Sequence, residues 1–168
     1  MKKFFLPFLA MAILIIGSGC AKLPQRADYI KEAAPQMAAD ENHALIYFVR
    51  PSAFSGGGMS YFVHEDATPI GVLKSGSYFM HRALPGKHTY WAETEARASV
   101  LLDVKAGETY YVEGGVGLGF WAGRPELREV TKAVVDGYMP DLEYIRLATE
   151  QEAADFKRKE KEAKENSL

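Results

Sequence analysis

From residue 43 onward, the hydrophobic positions fall into short runs separated by residues that are typical of turns. The runs are rich in β-branched and aromatic residues, a composition that favours strands over helices. The pattern predicts eight strands, at residues 43–50, 59–65, 69–73, 77–82, 87–93, 98–104, 109–116 and 126–135. Seven or eight short strands without βαβ alternation predict an all-β, two-sheet sandwich of the Ig-like or prealbumin-like type.

The predicted β-domain spans residues 43–138. The segment before it differs in composition. Residues 20–42 contain Pro24 and Pro35, several alanines and scattered charges, but no sustained apolar periodicity. This composition predicts a tether, with one helical turn at residues 29–34.

The segment after the domain, residues 139–168, predicts a charged helical tail. Pro140 suits the start of a helix, and Leu142, Ile145 and Phe156 mark a weak apolar stripe at helical spacing. This stripe could dock a partner, but we expect it to pack on the chain's own sandwich, because tertiary packing supplies most helical stability in proteins.

The N-terminus has the layout of a cleaved secretory signal. Lys2 and Lys3 precede an apolar run at residues 4–16, and the small residues 17–19 lead into Cys20. The run is shorter than the roughly 20 apolar residues that a membrane-spanning helix needs. Cys20 is also the single cysteine of the chain, and an unpaired thiol is a liability in an oxidising compartment unless it is modified.

This segment resembles the signals of bacterial lipoproteins, in which a cysteine becomes the first mature residue and carries lipid. The resemblance implies a signal peptide at residues 1–19 and lipidation of Cys20, although Gly17 stands where that family prefers leucine. Ala21 follows the cysteine, as in lipoproteins that are sorted to the outer membrane of Gram-negative bacteria. We therefore expect an outer-membrane anchor with several acyl chains and a domain that faces the periplasm.

Charge and cysteine content exclude several classes of function. Residues 1–19 contain two of the 20 basic residues and none of the 22 acidic ones, so the remainder has a formal charge of −4. No basic excess is left to neutralise phosphates, which argues against a nucleic-acid partner. Because Cys20 is the only cysteine, the domain cannot contain a disulfide, a cysteine nucleophile or a cysteine-ligated zinc ion.

Several runs in the domain follow one another over roughly residues 43–135, namely ALIYFVRP, PIGVLKSGSYF, LPGKHTYWAETEA, AGETYYVEGGV and GRPEL. In this order they resemble the DUF2846 family of bacterial lipoprotein domains. The LPGKH hairpin followed by the GETYY strand also resembles PEGA-type modules of surface proteins. The resemblance implies a β-sandwich in the cell envelope, and it implies no activity and no catalytic residue.

Residues 117–122 read GLGFWA, which formally matches a dinucleotide-binding fingerprint. That fingerprint requires a helix to begin at the glycines, whereas here Pro125 and a predicted strand follow. We interpret the segment as a hairpin loop whose glycines permit a positive φ. Phe120 and Trp121 either cap the sandwich or project as an interaction patch, and capping is expected because large aromatic side chains are usually buried.

The polar residues offer no convincing catalytic or metal site. The four histidines, His43, His64, His81 and His88, lie on different predicted strands, whereas a metal needs three or four converging ligands. A hydrolase set could combine Ser77 or Ser99 with a histidine and Asp103, but the GxSxG elbow is absent. We therefore expect no catalytic residue, no metal and no cofactor.

The sequence thus favours a non-catalytic, membrane-anchored lipoprotein that binds another envelope protein as an accessory or assembly module. Contact is expected through edge strands or through the loops at residues 54–59 and 116–121. The candidate interaction residues are Phe54, Met59, Phe120, Trp121 and Arg124.

The alternative from a different class is a small-ligand or cell-wall-glycan binder with a stacking platform. Its aromatic residues would be Tyr90, Trp91, Phe120 and Trp121. An enzyme ranks third.

Overall fold

The computed structural model describes residues 22–54 and 56–167. Within them, short strands build the domain and a longer helix ends it. The strands are β1 (Tyr29–Lys31), β2 (Ala44–Arg50), β3 (Ser60–Glu65), β4 (Thr68–Lys74), β5 (Ser77–Ala83), β6 (Gly86–Glu93), β7 (Arg97–Val104), β8 (Thr109–Gly117), β9 (Arg124–Val130) and β10 (Glu143–Leu147). The α-helices are α1 (Lys132–Asp136) and α2 (Glu150–Glu165), and single 3-10 turns lie at Arg26–Asp28 and Met139–Asp141.

The strands form two sheets that pack face to face. The larger has six strands in the order β1-β10-β5-β2-β8-β9, and the smaller has four in the order β4-β3-β6-β7. The prediction of an all-β, two-sheet sandwich is therefore confirmed, with ten described strands where seven or eight were expected.

The core lies between the sheets and follows the period of two along the strands. In β2, the side chains of Ala44, Ile46 and Phe48 belong to this core, and the Phe48 ring stacks on Phe79 with 4.8 Å between ring centroids. Leu45 and Val49 point to the other face of the sheet and are also buried. Burial on both faces explains why the β2 sequence is uniformly apolar.

β2 is central because it pairs with β5 on one side and with β8 on the other. The β5 pairing is antiparallel and the β8 pairing is parallel, with Tyr47 opposite Tyr111. Parallel neighbours need a long crossover connection. Residues 51–108 connect β2 to β8, and this connection contains β5 and all four strands of the smaller sheet.

The segments that flank the domain contain strands that the sequence analysis did not predict. Residues 29–34 were expected to form a helical turn, but Tyr29–Lys31 forms β1, which pairs antiparallel with β10. β10 itself includes Ile145 and pairs in parallel with β5. The prediction of a continuous helix from Pro140 is therefore wrong, because pairing to distant strands overrides the weak local stripe.

The remaining C-terminal prediction needs a smaller correction. The strand expected at 126–135 ends at Val130 and is followed by α1. The tail helix begins only at Glu150, after Thr149 caps it by accepting a hydrogen bond from the Glu152 amide. The tail packs partly on its own chain, since the Phe156 ring lies 5.2 Å from the Arg26 guanidinium.

Candidate functional site

One end of the sandwich exposes four large apolar side chains. They belong to the loop after β2, residues 51–59, and to the loop after β8, residues 118–123. We call this surface the apolar end, and it consists of Phe54, Leu118, Phe120 and Trp121, each at least 80% exposed. The expectation that Phe120 and Trp121 cap the sandwich is therefore wrong. Their rings pack on each other edge to face, with centroids 4.8 Å apart, and project into solvent.

The two loops of the apolar end pack against each other at their bases. A methyl group added at Gly123 would lie 2.2 Å from a Val116 methyl and 3.4 Å from the sulfur of Met59. Likewise, a methyl at Gly56 would lie 2.9 Å from Val116. Glycine is therefore required at both positions, and Met59, a candidate interaction residue, is a half-buried spacer between the loops.

Glu95 organises the loop that carries Phe120 and Trp121. Its carboxylate accepts hydrogen bonds from the backbone amides of Phe120 (2.8 Å), Trp121 (2.8 Å) and Ala122 (3.0 Å). The side chain of Arg124 donates a fourth at 3.1 Å. These donors, the backbone amides first, lower the pKa of Glu95 to about 2.

Arg124, a candidate interaction residue, is thus held by Glu95, although its side chain remains 60% exposed. The role of Glu95 could not be predicted from the sequence, because no local pattern links residue 95 to residues 120–124.

Arg50 supports the other loop from inside the domain. Its side chain is 2% exposed and donates to the carbonyl oxygens of Met59 and Gly56, both at 2.8 Å. The guanidinium also lies 5.4 Å from the centre of the Tyr61 ring. Burial lowers the pKa of Arg50, and the interaction with Tyr61 partly offsets that effect.

A second surface feature is a pocket on the outer face of the smaller sheet. We call it the outer-face pocket; it has a volume of about 270 Å³ and is lined by Lys22, Phe62, His64, Pro69, Trp91 and Glu93. Concave sites with an apolar lining and a few polar groups are typical of ligand or partner binding.

Trp91 is clamped within this pocket. The His64 ring from β3 stacks on it at 4.1 Å, and the Arg97 guanidinium from β7 lies 4.1 Å from its ring centre. Because β3 and β7 lie on opposite sides of β6, the two partners cover opposite faces of the indole. Tyr90, the next platform residue, is fully buried. The predicted four-residue stacking platform is therefore not assembled.

At the opposite end of the sandwich, Glu65 joins two histidines from different sheets. Its carboxylate oxygens lie 3.0 Å from Nε2 of His81 and 2.5 Å from Nδ1 of His88. Nε2 of His88 donates to the carbonyl oxygen of Leu84 at 2.7 Å. Burial lowers the pKa of His81, whereas the charge of Glu65 raises it.

The Glu65 cluster is closed on itself and links β5 to the smaller sheet. The histidines are separate in the sequence, and only the packing of one sheet on the other brings His81 and His88 to the same carboxylate. Even so, no group of histidine, aspartate and glutamate side chains in residues 22–54 and 56–167 could hold a metal ion.

The other motifs also have structural explanations. The Ser77 hydroxyl donates to the Lys74 carbonyl oxygen (2.8 Å) and accepts from its amide (3.1 Å). No hydrogen bond between described residues joins Ser77 or Ser99 to a histidine. The GLGFWA segment leads into β9 instead of a helix, so it lacks the geometry that binds a dinucleotide.

The predicted signal peptide and Cys20 lie outside the described residues. Among the residues that are described, no helix has the length and hydropathy needed to cross a membrane.

Comparison with known proteins places the domain in a family. No curated protein and no solved structure matches the chain. Residues 40–119 match the family described as "Protein of unknown function (DUF2846)". The match ends before the GRPEL run, so it covers β2 to β8 and not the full range that the resemblance suggested. On this match, residues 40–119 of the chain belong to the DUF2846 family.

Proposed function

We propose that this chain is a non-catalytic lipoprotein of the cell envelope, anchored through lipid on Cys20, that binds another envelope protein. In this role the β-sandwich is a rigid recognition module and the tether holds it beside the membrane. The outer-face pocket is the surface that receives the protein partner, and this pocket is the observation that carries the proposal.

The chemistry of the pocket suits a protein side chain. Phe62, Pro69 and Trp91 supply apolar walls, while Lys22 and Glu93 bring one charge of each sign to the lining. Aromatic anchors in a partly closed pocket with polar groups at its margin are typical of the energetic centre of protein interfaces.

Two other modes of binding have less support. Strand addition needs a long free edge, but β1 has three residues, β4 contains Pro69, and the edge strands β7 and β9 contact each other. Glycan stacking needs an open aromatic face, and both faces of Trp91 are covered.

Non-catalytic action is supported by the way the polar groups are used. The Glu65 carboxylate and both of its histidines are committed to the contact between the sheets. Glu95 is committed to the loop of the apolar end. Neither group holds a nucleophile next to a free base.

The experiment is site-specific photo-crosslinking in intact cells. A photoreactive residue at Thr89, which is exposed on the same strand and face as Trp91, should yield a protein adduct. The matched control is Glu129, exposed on β9 of the other sheet, which should yield none. If the photoreactive residue at Thr89 forms no protein adduct, or if Thr89 and Glu129 form equal amounts of adduct, the proposal is wrong.

A pocket variant gives an independent measurement. Trp91→Ala should abolish the Thr89 adduct, because it removes the largest wall of the pocket, while Val134→Ala, at an exposed position of α1, should preserve it. Circular dichroism of both variants checks that the sandwich remains folded.

A further inference from the structure

The described chain begins beside the apolar end. Leu23, Pro24 and Gln25 line a shallow surface together with Gly58, Met59 and Ser60, and Met59 is the spacer at the base of both apolar loops. Leu23, Pro24 and Gln25 therefore lie at the same end of the sandwich as the apolar end.

Covalent geometry limits how far the anchor can lie from this end. Cys20 precedes Lys22 by two residues, and consecutive Cα atoms are about 3.8 Å apart, so the two Cα atoms are separated by at most about 8 Å. A lipid on Cys20 would hold this end of the domain within a few ångströms of the bilayer surface.

From these observations we infer that the apolar end inserts into the lipid bilayer beside the anchor, with Phe54, Leu118, Phe120 and Trp121 as the inserting side chains. The inference rests on the proposed function, because it requires the anchor at Cys20. It adds a second membrane contact and assigns the bilayer as the occupant of this surface.

The composition of the apolar end fits a membrane interface. Tryptophan and phenylalanine favour the boundary between headgroups and acyl chains, and leucine favours the hydrocarbon itself.

The loop is also prepared for insertion. Glu95 already satisfies the amides of Phe120, Trp121 and Ala122, so those polar groups would not lose a partner on entering a medium without water. The two loops are also held from below, because Arg50 donates to the Gly56 carbonyl oxygen and Glu95 accepts from the Trp121 amide.

Insertion at this end sets the orientation of the domain. The Glu65 cluster at the opposite end points away from the membrane, and the outer-face pocket lies along the side, open to a partner that also sits at the membrane surface. Lys22 lines that pocket, which places the pocket close to the first described residues of the chain.

The chain offers a direct test, because it has two tryptophans. Trp121 belongs to the apolar end and Trp91 to the outer face of the sheet. The full lipidated protein, purified from membranes in detergent, is reconstituted into vesicles of phosphatidylethanolamine and phosphatidylglycerol with brominated acyl chains, which quench nearby indoles. Trp91→Phe reports on Trp121 alone, and Trp121→Phe is the matched variant that reports on Trp91.

We expect brominated lipid to remove about half or more of the Trp121 fluorescence, since an interfacial side chain lies roughly 5–10 Å deep, within contact of the bromines. Trp91 fluorescence should change little. Equal quenching of the two tryptophans would overturn the inference. Wild-type protein contains both tryptophans, so its fractional loss of fluorescence should lie between those of the two variants.

The two proposals fail separately. If a photoreactive residue at Phe120 captures a protein in cells and Trp121 is not quenched, a protein covers the apolar end and the inference is wrong, while the proposed function stands. If the chain carries no lipid at Cys20, the proposed function fails and the inference fails with it.

Discussion

Replacement of Arg50 by methionine should destabilise the domain through the loop that carries Phe54. The guanidinium is buried and makes two strong hydrogen bonds, to the carbonyl oxygens of Gly56 and Met59 at 2.8 Å, and a weaker one to Leu73 at 3.4 Å. Methionine keeps an unbranched, flexible side chain that can fill part of the space, but it is shorter and cannot donate to these oxygens.

The magnitude follows from the two strong bonds. A hydrogen bond to a charged group contributes about 1.5–3 kcal/mol, so their loss would cost roughly 3–6 kcal/mol. Relief of the burial penalty on the guanidinium, which the lowered pKa of Arg50 indicates, offsets part of this. We expect a net loss of about 2–4 kcal/mol in the free energy of unfolding.

Urea denaturation followed by circular dichroism measures this loss, and limited proteolysis should show earlier cleavage at residues 51–59. Arg50→Lys should lie between wild type and Arg50→Met, because an ammonium retains the charge but not the planar donor array. Arg158→Met, on the exposed tail helix, is the control and should behave as wild type. If Arg50→Met unfolds at the same urea concentration as this control, the guanidinium does not hold the loop.

Three further substitutions test other parts of the structure. Cys20→Ser should abolish labelling by a palmitate analogue and leave uncleaved precursor, with an unchanged circular dichroism spectrum. The pKa of Glu95 is lowered from 4.5 to about 2. The ionised carboxylate therefore stabilises the fold fully above about pH 4.5, and this stabilisation is lost as the pH falls through 2. The difference in the free energy of unfolding between wild type and Glu95→Gln, measured by urea titration, should shrink over that range. Gly71→Ala should cost about 1–3 kcal/mol in a urea titration, because the new methyl would lie 2.5 Å from the Phe79 ring, whereas Gly58→Ala, with open space around it, should be nearly neutral.

Seven predicted strands, from 43–50 to 109–116, agree with β2 to β8 to within two residues. These strands have a clear period of two or an unbroken apolar run, and both are local properties of the chain. β1 and β10 were missed because they are three and five residues long and exist by pairing with each other and with β5. Short segments of this kind carry too few positions to show a period.

The candidate site was predicted in part. The glycines and aromatic residues of the loops with Phe54, Phe120 and Trp121 identified these loops as candidates. The exposure of Phe120 and Trp121 was not predicted, since aromatic residues are buried on average. The clamp of Trp91 by His64 and Arg97 and the burial of Tyr90 depend on which strands are neighbours.

The amino-acid sequence by itself determined the fold class and the positions of the central strands. It also excluded disulfides and cysteine chemistry in the domain, because composition and period need no knowledge of contacts. Only the tertiary structure decided that Glu95 holds the loop of Trp121, that Glu65 joins two histidines, and that Leu23 lies beside the apolar end. Each of these joins residues far apart in the chain, and their meeting is set by strand order and register, which no local pattern contains.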